Sequence, residues 1–353
     1  MRRINTFLFV LFSLVVFLQF SFQLDDPFYK ITKKDVVLKL PKDFPKPVYD
    51  FTNNKITAEG FLLGRKLFYD TILSLDNSIS CGSCHQQYAA FAHIDHALSH
   101  GIKDRVGTRN VPALQNLIWY KEFMWDGGVN HIEVQPLAPL TNPVEMDESL
   151  EGIVAKLQGR SDYRKAFFMA FKDSTITSER ILKSLTQFMG LMISSNSRYD
   201  KYMAGKETFT ASETNGLSIF RSKCASCHKE PLFTDQTFRN NGIQTNPRLN
   251  DKGRALITGL EIDNYTFKVP SLRNVALTFP YMHDGRFKNL NEVLVHYSDS
   301  ASFAKGNDPF LQKIGSLSKQ DINDLQAFLY TLTDKTFVYD RRFADPNFVR
   351  VRK

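Results

Sequence analysis

Hydrophobic residues recur at helical spacing in two widely separated segments of the chain. In residues 177–193 one helical face would carry Ile181, Leu182, Leu185, Phe188, Met189 and Met192. In residues 319–333, after Ser318 as a candidate N-cap, the same spacing is made by Ile322, Leu325, Phe328, Leu329 and Leu332. The apolar-polar alternation of β-strands is sparse. The pattern therefore predicts an all-α protein with two similar amphipathic helices.

The N-terminus has a different pattern. Arg2 and Arg3 precede an apolar run from Phe7 to Phe22, which is the arrangement of a secretory signal. No small-x-small cleavage site follows, so residues 1–24 are predicted to be a signal peptide or an uncleaved N-terminal anchor. Residues 25–50 contain four prolines and are predicted to form an extended lead-in. Either interpretation of the N-terminus implies an exported protein.

Composition excludes several classes of protein. The chain has 353 residues, of which 42% are hydrophobic and 23% charged, so it is neither disordered, collagen-like nor a polytopic membrane protein. The length suggests about two domains. Part of the net charge of +8 is concentrated at the termini, and no Gly-rich phosphate loop or basic-aromatic repeat is present. Nucleic acid is therefore not an expected partner.

Every cysteine of the chain belongs to one of two identical motifs. The motifs are Cys81-Gly82-Ser83-Cys84-His85 and Cys224-Ala225-Ser226-Cys227-His228. CxxCH is the attachment signature of c-type haem, in which two thiols add across the vinyl groups at one porphyrin edge and the histidine ligates the iron. The motifs predict two covalently bound haems, held by Cys81, Cys84, His85, Cys224, Cys227 and His228.

Other uses of four cysteines account for the sequence less well. A thioredoxin-like pair would lie in a βαβ pattern, which surrounds neither motif. A zinc site would not require a histidine directly after each pair, and the pairs lie 143 residues apart. Disulfides suit an exported protein but leave His85 and His228 unexplained.

The similar surroundings of the two motifs predict an internal duplication. A helix before CxxCH and an amphipathic helix at the end of the unit are how a cytochrome c encloses its haem. We therefore expect two cytochrome c-like haem domains, at residues 51–205 and 206–340, followed by a basic tail at 341–353.

Three further segments carry a resemblance to a known family. They are Trp125-Asp126-Gly127, Asn142-Pro143-Val144-Glu145-Met146, and Leu272-Arg273-Asn274-Val275-Ala276-Leu277-Thr278 with Pro280-Tyr281-Met282-His283-Asp284-Gly285. With both haem motifs in order, residues 55–335 resemble the bacterial di-haem cytochrome c peroxidases and their MauG-type relatives. The resemblance implies a peroxide-reactive haem in the N-terminal domain and an electron-transfer haem in the C-terminal domain.

Candidate catalytic residues follow from this resemblance. A carboxylate near the open face of a haem can take a proton from peroxide and return it to the leaving oxygen. Glu145 follows Pro143 in a predicted loop, where the sequence alone favours an exposed side chain. The resemblance assigns the acid–base role to Glu145, the distal partner to Gln135 and an inter-haem relay to Trp125. Gly128 stands where the family usually has arginine.

The iron ligands opposite His85 and His228 would distinguish the branches of the family. His100, before Gly101, matches a histidine that caps the first iron at rest in typical peroxidases, although a solvated loop histidine is an alternative. Tyr297 matches the distal ligand of the second haem, which is methionine in typical peroxidases and tyrosine in the MauG-type branch. A tyrosine ligand would lower the haem potential. Met282 and His283 are alternative ligands.

The resemblance also implies one calcium ion, with Asn110, Thr278 and Pro280 at the matching positions. Oxygen ligands of this kind suit a hard cation.

The expected function is reduction of hydrogen peroxide to water in the periplasm, with electrons from a small cytochrome c or cupredoxin. One alternative is a MauG-type oxidase that uses peroxide to oxidise a protein side chain or a small molecule. Tyr297 favours it, whereas Ser222 replaces the surface tryptophan which that enzyme uses. A second alternative is a non-enzymatic electron carrier or redox sensor. Homodimers are usual among relatives, and the membrane is expected as a partner only through an N-terminal anchor.

Overall fold

The computed structural model describes residues 31–304 and 306–347. The predicted signal or anchor over residues 1–24 lies outside these ranges, as does the end of the basic tail. Residues 31–50 contain turns but neither helix nor strand. No helix of the described ranges is long and apolar enough to span a membrane.

The fold is rich in helices and has little sheet, which agrees with the all-α prediction at this coarse level. The α-helices of the described residues are α1 (Ala58–Tyr69), α2 (Cys81–Cys84), α3 (Leu137–Thr141), α4 (Leu150–Gln158), α5 (Ser161–Phe171), α6 (Ser178–Met189), α7 (Arg198–Met203), α8 (Ala211–Lys223), α9 (Ala255–Thr258), α10 (Leu290–Ser298), α11 (Lys319–Tyr330) and α12 (Lys335–Val338). Two-residue strands β1 (Phe238–Arg239) and β2 (Phe267–Lys268) pair antiparallel.

Both helices predicted from the hydrophobic pattern are present. Helix α6 begins after Thr177, whose side chain accepts a hydrogen bond from the N–H of Arg180. Helix α11 begins after Ser318, which forms a reciprocal capping box with Asp321. In each helix the predicted apolar face is buried, because it packs against an earlier helix of the same half of the chain.

The same helix crossing occurs twice. Helix α1 crosses α6 at Gly64, where a Cβ atom would lie 1.9 Å from the carbonyl oxygen of Ser184. Helix α8 crosses α11 at Gly216, where a Cβ atom would lie 1.9 Å from the carbonyl oxygen of Asp324. Only glycine allows the backbones to approach this closely. One turn later, Phe68 packs on Phe188 and Phe220 packs on Phe328, with ring centroids 5.1 and 5.0 Å apart.

Each crossing lies in its own hydrophobic cluster. The first cluster is built mainly from α1, α4, α5 and α6, and the second from α8, α10 and α11. After α11 the chain returns to the first cluster, where Phe337 and Phe343 are buried. The hydroxyl of Tyr69 donates to the carbonyl of Phe343 at 2.6 Å. The C-terminal segment therefore completes the packing around the first CxxCH motif.

Candidate functional site

A cavity of about 730 Å³ lies between the half of the chain that carries the first CxxCH motif and the half that carries the second. Both motifs line it. Its lining includes Cys81, Cys84, His85, Cys224, Cys227 and His228. The first motif forms the single-turn helix α2, and all four cysteines are free thiols. Burial raises the pKa of Cys81 to about 12 and that of Cys84 to about 11, so these thiols are protonated at neutral pH. Free thiols around one apolar cavity fit covalent haem attachment.

Both motif histidines are held in the orientation that iron ligation requires. Nδ1 of His85 lies 2.7 Å from the carbonyl oxygen of Phe91, and burial lowers the pKa of His85 to about 4. Nδ1 of His228 lies 3.1 Å from the carbonyl oxygen of Phe233 and 3.2 Å from that of Pro270. Since a neutral ring that donates through Nδ1 keeps a lone pair on Nε2, each histidine can ligate iron through Nε2.

Glu145 lines the same cavity, in the loop after α3. Burial raises the pKa of its carboxyl above that of an ordinary glutamate, and its charge in turn raises the pKa of Cys84. The loop is fixed by its backbone: the N–H of Glu145 donates to Asn142 and its carbonyl accepts from Ile102. A Cβ atom at Gly101 would lie 2.1 Å from the carbonyl oxygen of Val144, so glycine is needed at this contact.

Gln135 is 9% exposed and lines the cavity. Its amide nitrogen lies 3.9 Å from the sulfur of Met124, which precedes Trp125. The structure therefore brings Glu145, Gln135 and Trp125 to one cavity.

Trp125 is held by a hydrogen bond from its Nε1 to the carbonyl oxygen of Asn110, at 2.8 Å. The following residue, Asp126, is paired with Arg109, which also binds Asp251. This ion-pair network joins the Trp125 loop to the second half of the chain.

Arg254 contacts the loop in which Gly127 and Gly128 follow Asp126. Its guanidinium donates to the carbonyl of Asp126 at 3.0 Å and pairs with Glu122 at 2.7 Å. A Cβ atom at Gly127 would lie 2.2 Å from its Nη1. The family's usual arginine after this motif is thus absent from position 128, but a cation from a distant segment contacts the same loop.

Tyr297, on α10, lines the cavity near the second motif. Burial raises the pKa of its phenol to about 12, and Cys224 and Cys227 contribute to the rise. Met282 and His283 line the same cavity, and the sulfur of Met282 accepts from the amide of Asn241 at 3.3 Å. All three candidate ligands line the cavity, and the assignment to Tyr297 stays a prediction.

His100 does not belong to the cavity lining. Its ring packs against that of His96 with centroids 4.1 Å apart, and its Nδ1 lies 3.1 Å from the carbonyl of Leu98. Its backbone carbonyl accepts from the thiol of Cys84 at 3.4 Å. The side chain would have to reorient to cap an iron, so the capping role stays a prediction.

The three positions matched to calcium, Asn110, Thr278 and Pro280, all line the cavity. The Asn110 amide nitrogen donates to the carbonyl of Ala97 at 2.9 Å. Among the described residues no group of three or more His, Cys, Asp or Glu side chains could hold a metal. A calcium ion here would depend on carbonyl and amide oxygens.

Sequence reasoning missed Lys268, Arg109 and Arg254. Lys268 lines the cavity, and the two arginines fix the Trp125 loop. Lys268 stands two residues before Pro270, and a single lysine carries no sequence signal of burial.

Comparison with known proteins agrees with the site. The family model of di-haem cytochrome c peroxidase matches residues 58–208. The methylamine utilization protein MauG of Methylophilus methylotrophus is 30% identical, covering 83% of this chain and 87% of the relative. Cytochrome c551 peroxidase of Nitrosomonas europaea is also 30% identical, covering 77% of this chain and 79% of the relative. The crystal structure of a MauG-like protein associated with microbial copper homeostasis superposes with a TM-score of 0.79 at 33% identity, covering 87% of this chain and 98% of that one.

Two CxxCH motifs around one cavity, and relatives that match over most of their length, lead to the same conclusion. The chain belongs to the di-haem cytochrome c peroxidase family, which implies two haems, and it is an oxidoreductase of the peroxidase type.

Proposed function

We propose that hydrogen peroxide is reduced to water beside His85, with Glu145 as the acid–base group. The observation that carries this proposal is the partly buried Glu145 carboxyl in the cavity wall near Cys84. Haem iron held by His85 would supply the redox chemistry that breaks the O–O bond. Overall, one peroxide, two electrons and two protons give two water molecules.

The chain's own residues would manage protons and orientation. The Glu145 carboxylate takes the proton from one peroxide oxygen and returns it to the oxygen that leaves. The raised pKa of Glu145 suits this exchange, because proton transfer is efficient when the pKa approaches the working pH. The Gln135 amide would hold peroxide in place by hydrogen bonding, and the indole of Trp125 would carry electrons between the two halves.

The repeated loop geometry supports two haem domains related by duplication. The loop at residues 116–129 has the same features of backbone conformation as the loop at residues 274–287, 158 positions later. Positive φ angles occur at the matched pairs Asn116 and Asn274, Met124 and Met282, and Gly127 and Gly285. The bridge between Phe123 and Val129 recurs between Tyr281 and Phe287. The two glycine crossings at Gly64 and Gly216 add a second, independent correspondence.

The remaining parts of the proposal concern compartment, metal and partner. Covalent haem motifs behind a basic and apolar N-terminus favour export to the periplasm. Asn110, Thr278 and Pro280, which all line one cavity, favour a calcium ion at the junction of the halves. A small cytochrome c or cupredoxin would supply electrons to the haem of His228.

A MauG-type oxidation is the second candidate function. It is favoured by Tyr297 in the cavity wall near the second motif, and by the MauG and MauG-like relatives. Ser222, exposed before the second motif, offers no aromatic ring for the route which that enzyme uses. The peroxidase relatives disfavour a mere electron carrier.

Spectroscopy and turnover of the holoprotein test the proposal. The resting and one-electron-reduced states are each mixed with hydrogen peroxide, with a reduced small cytochrome c as donor. We expect catalytic oxidation of the donor that is lost in Glu145→Gln and kept in Glu151→Gln, a change at an exposed residue of α4. Oxidation of an added protein or small molecule without donor turnover would favour the MauG-type function. Equal turnover in both variants would contradict the role of Glu145.

A further inference from the structure

Lys268 is a cation in the cavity wall without a charged partner. Its Nζ donates to the backbone carbonyl of Glu122 at 2.9 Å and lies 4.9 Å from the ring centre of Tyr120. The Glu122 carboxylate pairs with Arg254 instead. Among the described residues no carboxylate lies within ion-pair distance of Lys268. Desolvation lowers the pKa of Lys268 to about 7, and an anion beside the amine would favour its charged form.

Other cations of the cavity wall are already neutralised or lie elsewhere. Arg109 is paired with Asp126 and Asp251, and Arg239 with Asp235 and Asp308. Lys223 also lines the cavity, but it precedes Cys224 and therefore lies at the edge where thioether bonds form. Among the described cations of this wall, Lys268 is thus one that could receive an anion.

The position of Lys268 indicates which anion its side chain would bind. The N–H of Lys268 donates to the carbonyl of Trp125 at 2.7 Å, so the residue lies where the two halves meet. A haem attached through its vinyl edge directs its two propionates to the opposite edge. Carboxylates that face away from the cysteine motifs would therefore approach this junction. Asn110 stands 158 positions before Lys268, at the corresponding position of the first half, and its side chain carries no charge.

We propose that the ammonium of Lys268 pairs with a haem propionate at the junction of the two halves. The ion pair satisfies both charges, and a charge-assisted hydrogen bond of this kind is stronger than a neutral one. At the corresponding position of the first half, the Asn110 side chain itself carries no charge. The inference depends on the presence of two haems, not on the peroxide reaction.

Reduction potentials of the holoprotein test this pair directly. Spectroelectrochemical titration of wild type, Lys268→Met and Lys268→Arg would follow each haem separately, with haem content measured beforehand. We expect Lys268→Met to lower the midpoint potential of one haem, because loss of a positive charge disfavours the more negative ferrous state. Lys268→Arg should stay close to wild type. The haem whose potential shifts identifies the propionate.

Lys252→Met, at an exposed lysine of the same half, is the matched control and should leave both potentials unchanged. Equal potentials in Lys268→Met and Lys252→Met would overturn the proposal, as would equal shifts in Lys268→Met and Lys268→Arg. If Lys268→Met does not load both haems, Lys268→Gln replaces it in the same comparison. Absence of peroxide turnover in wild type would refute the proposed function and leave these potentials measurable.

Discussion

The indole Nε1 of Trp125 donates a hydrogen bond to the backbone carbonyl of Asn110, at 2.8 Å. The backbone N–H of Asn110 in turn donates to the carbonyl of His283 in the other half, at 2.7 Å. The backbone N–H of Lys268, in the second half, makes the corresponding contact to the first half by donating to the carbonyl of Trp125. Trp125 is therefore fixed by contacts that join the two halves.

Replacing Trp125 by phenylalanine should slow donor-dependent peroxide turnover. The smaller ring loses the bond to Asn110, which should cost about 1 kcal/mol of stability. Trp119→Phe is a matched control, because Trp119 is buried, donates to the carbonyl of Pro45 at 2.7 Å and does not line the cavity. Thermal melting should show similar losses of stability in the two variants. Steady-state turnover should fall in Trp125→Phe alone.

Glu145→Gln should reduce peroxide turnover by about 10²–10⁴-fold, since the amide cannot exchange the proton. In wild type, the rate should fall as the pH drops through the pKa of Glu145, because protonation removes the base. Burial raises this pKa, so the fall should begin at higher pH than for an exposed glutamate. The pH profile of kcat/KM checks this, and an unchanged acid limb in Glu145→Gln would contradict it.

Alanine at either crossing glycine should destabilise the holoprotein. In Gly64→Ala and Gly216→Ala the new methyl group would meet a backbone carbonyl at 1.9 Å, which only a helix shift relieves. Overpacking of this kind costs about 1–3 kcal/mol or more. Gly159→Ala is the control, since its Cβ would meet other atoms at 3.4 Å or beyond. Thermal melting followed at the haem absorbance should separate the variants, and equal melting temperatures would count against the crossings.

Tyr297→Met should raise the reduction potential of the second haem, if the phenol is its distal ligand, because a thioether favours ferrous iron. Tyr330→Met, at a residue of α11 that is 55% exposed, should leave it unchanged. Redox titration of the second haem is the measurement. Identical potentials in both variants would leave Met282 or His283 as the ligand.

Much of the site was predictable because its signals are local. The CxxCH spacing encodes thiols and histidine within one helical turn, and α2 has that conformation at the first motif. The predicted faces of α6 and α11 are buried because a helical period of 3.6 fixes which residues share a face. The segment around Glu145 was found only through the family pattern, since an isolated loop glutamate has no local signal.

Contacts between distant segments were not predictable in this way. Arg254 reaches the loop of Asp126 from 128 positions away, and His100 turns toward His96 rather than into the cavity. The return of Phe343 to the first hydrophobic cluster also lies beyond any local pattern. Such contacts depend on how helices pack, which a short sequence window does not contain.

By itself, the sequence determined the haem-binding motifs and the helical character, because covalent spacing and side-chain periodicity are properties of neighbouring residues. Only the tertiary structure decided that both motifs share one cavity, that Trp125 is held between the halves, and that no carboxylate of the described residues forms an ion pair with Lys268. These features arise from long-range packing and burial, and burial determines which charges the folded chain must pair.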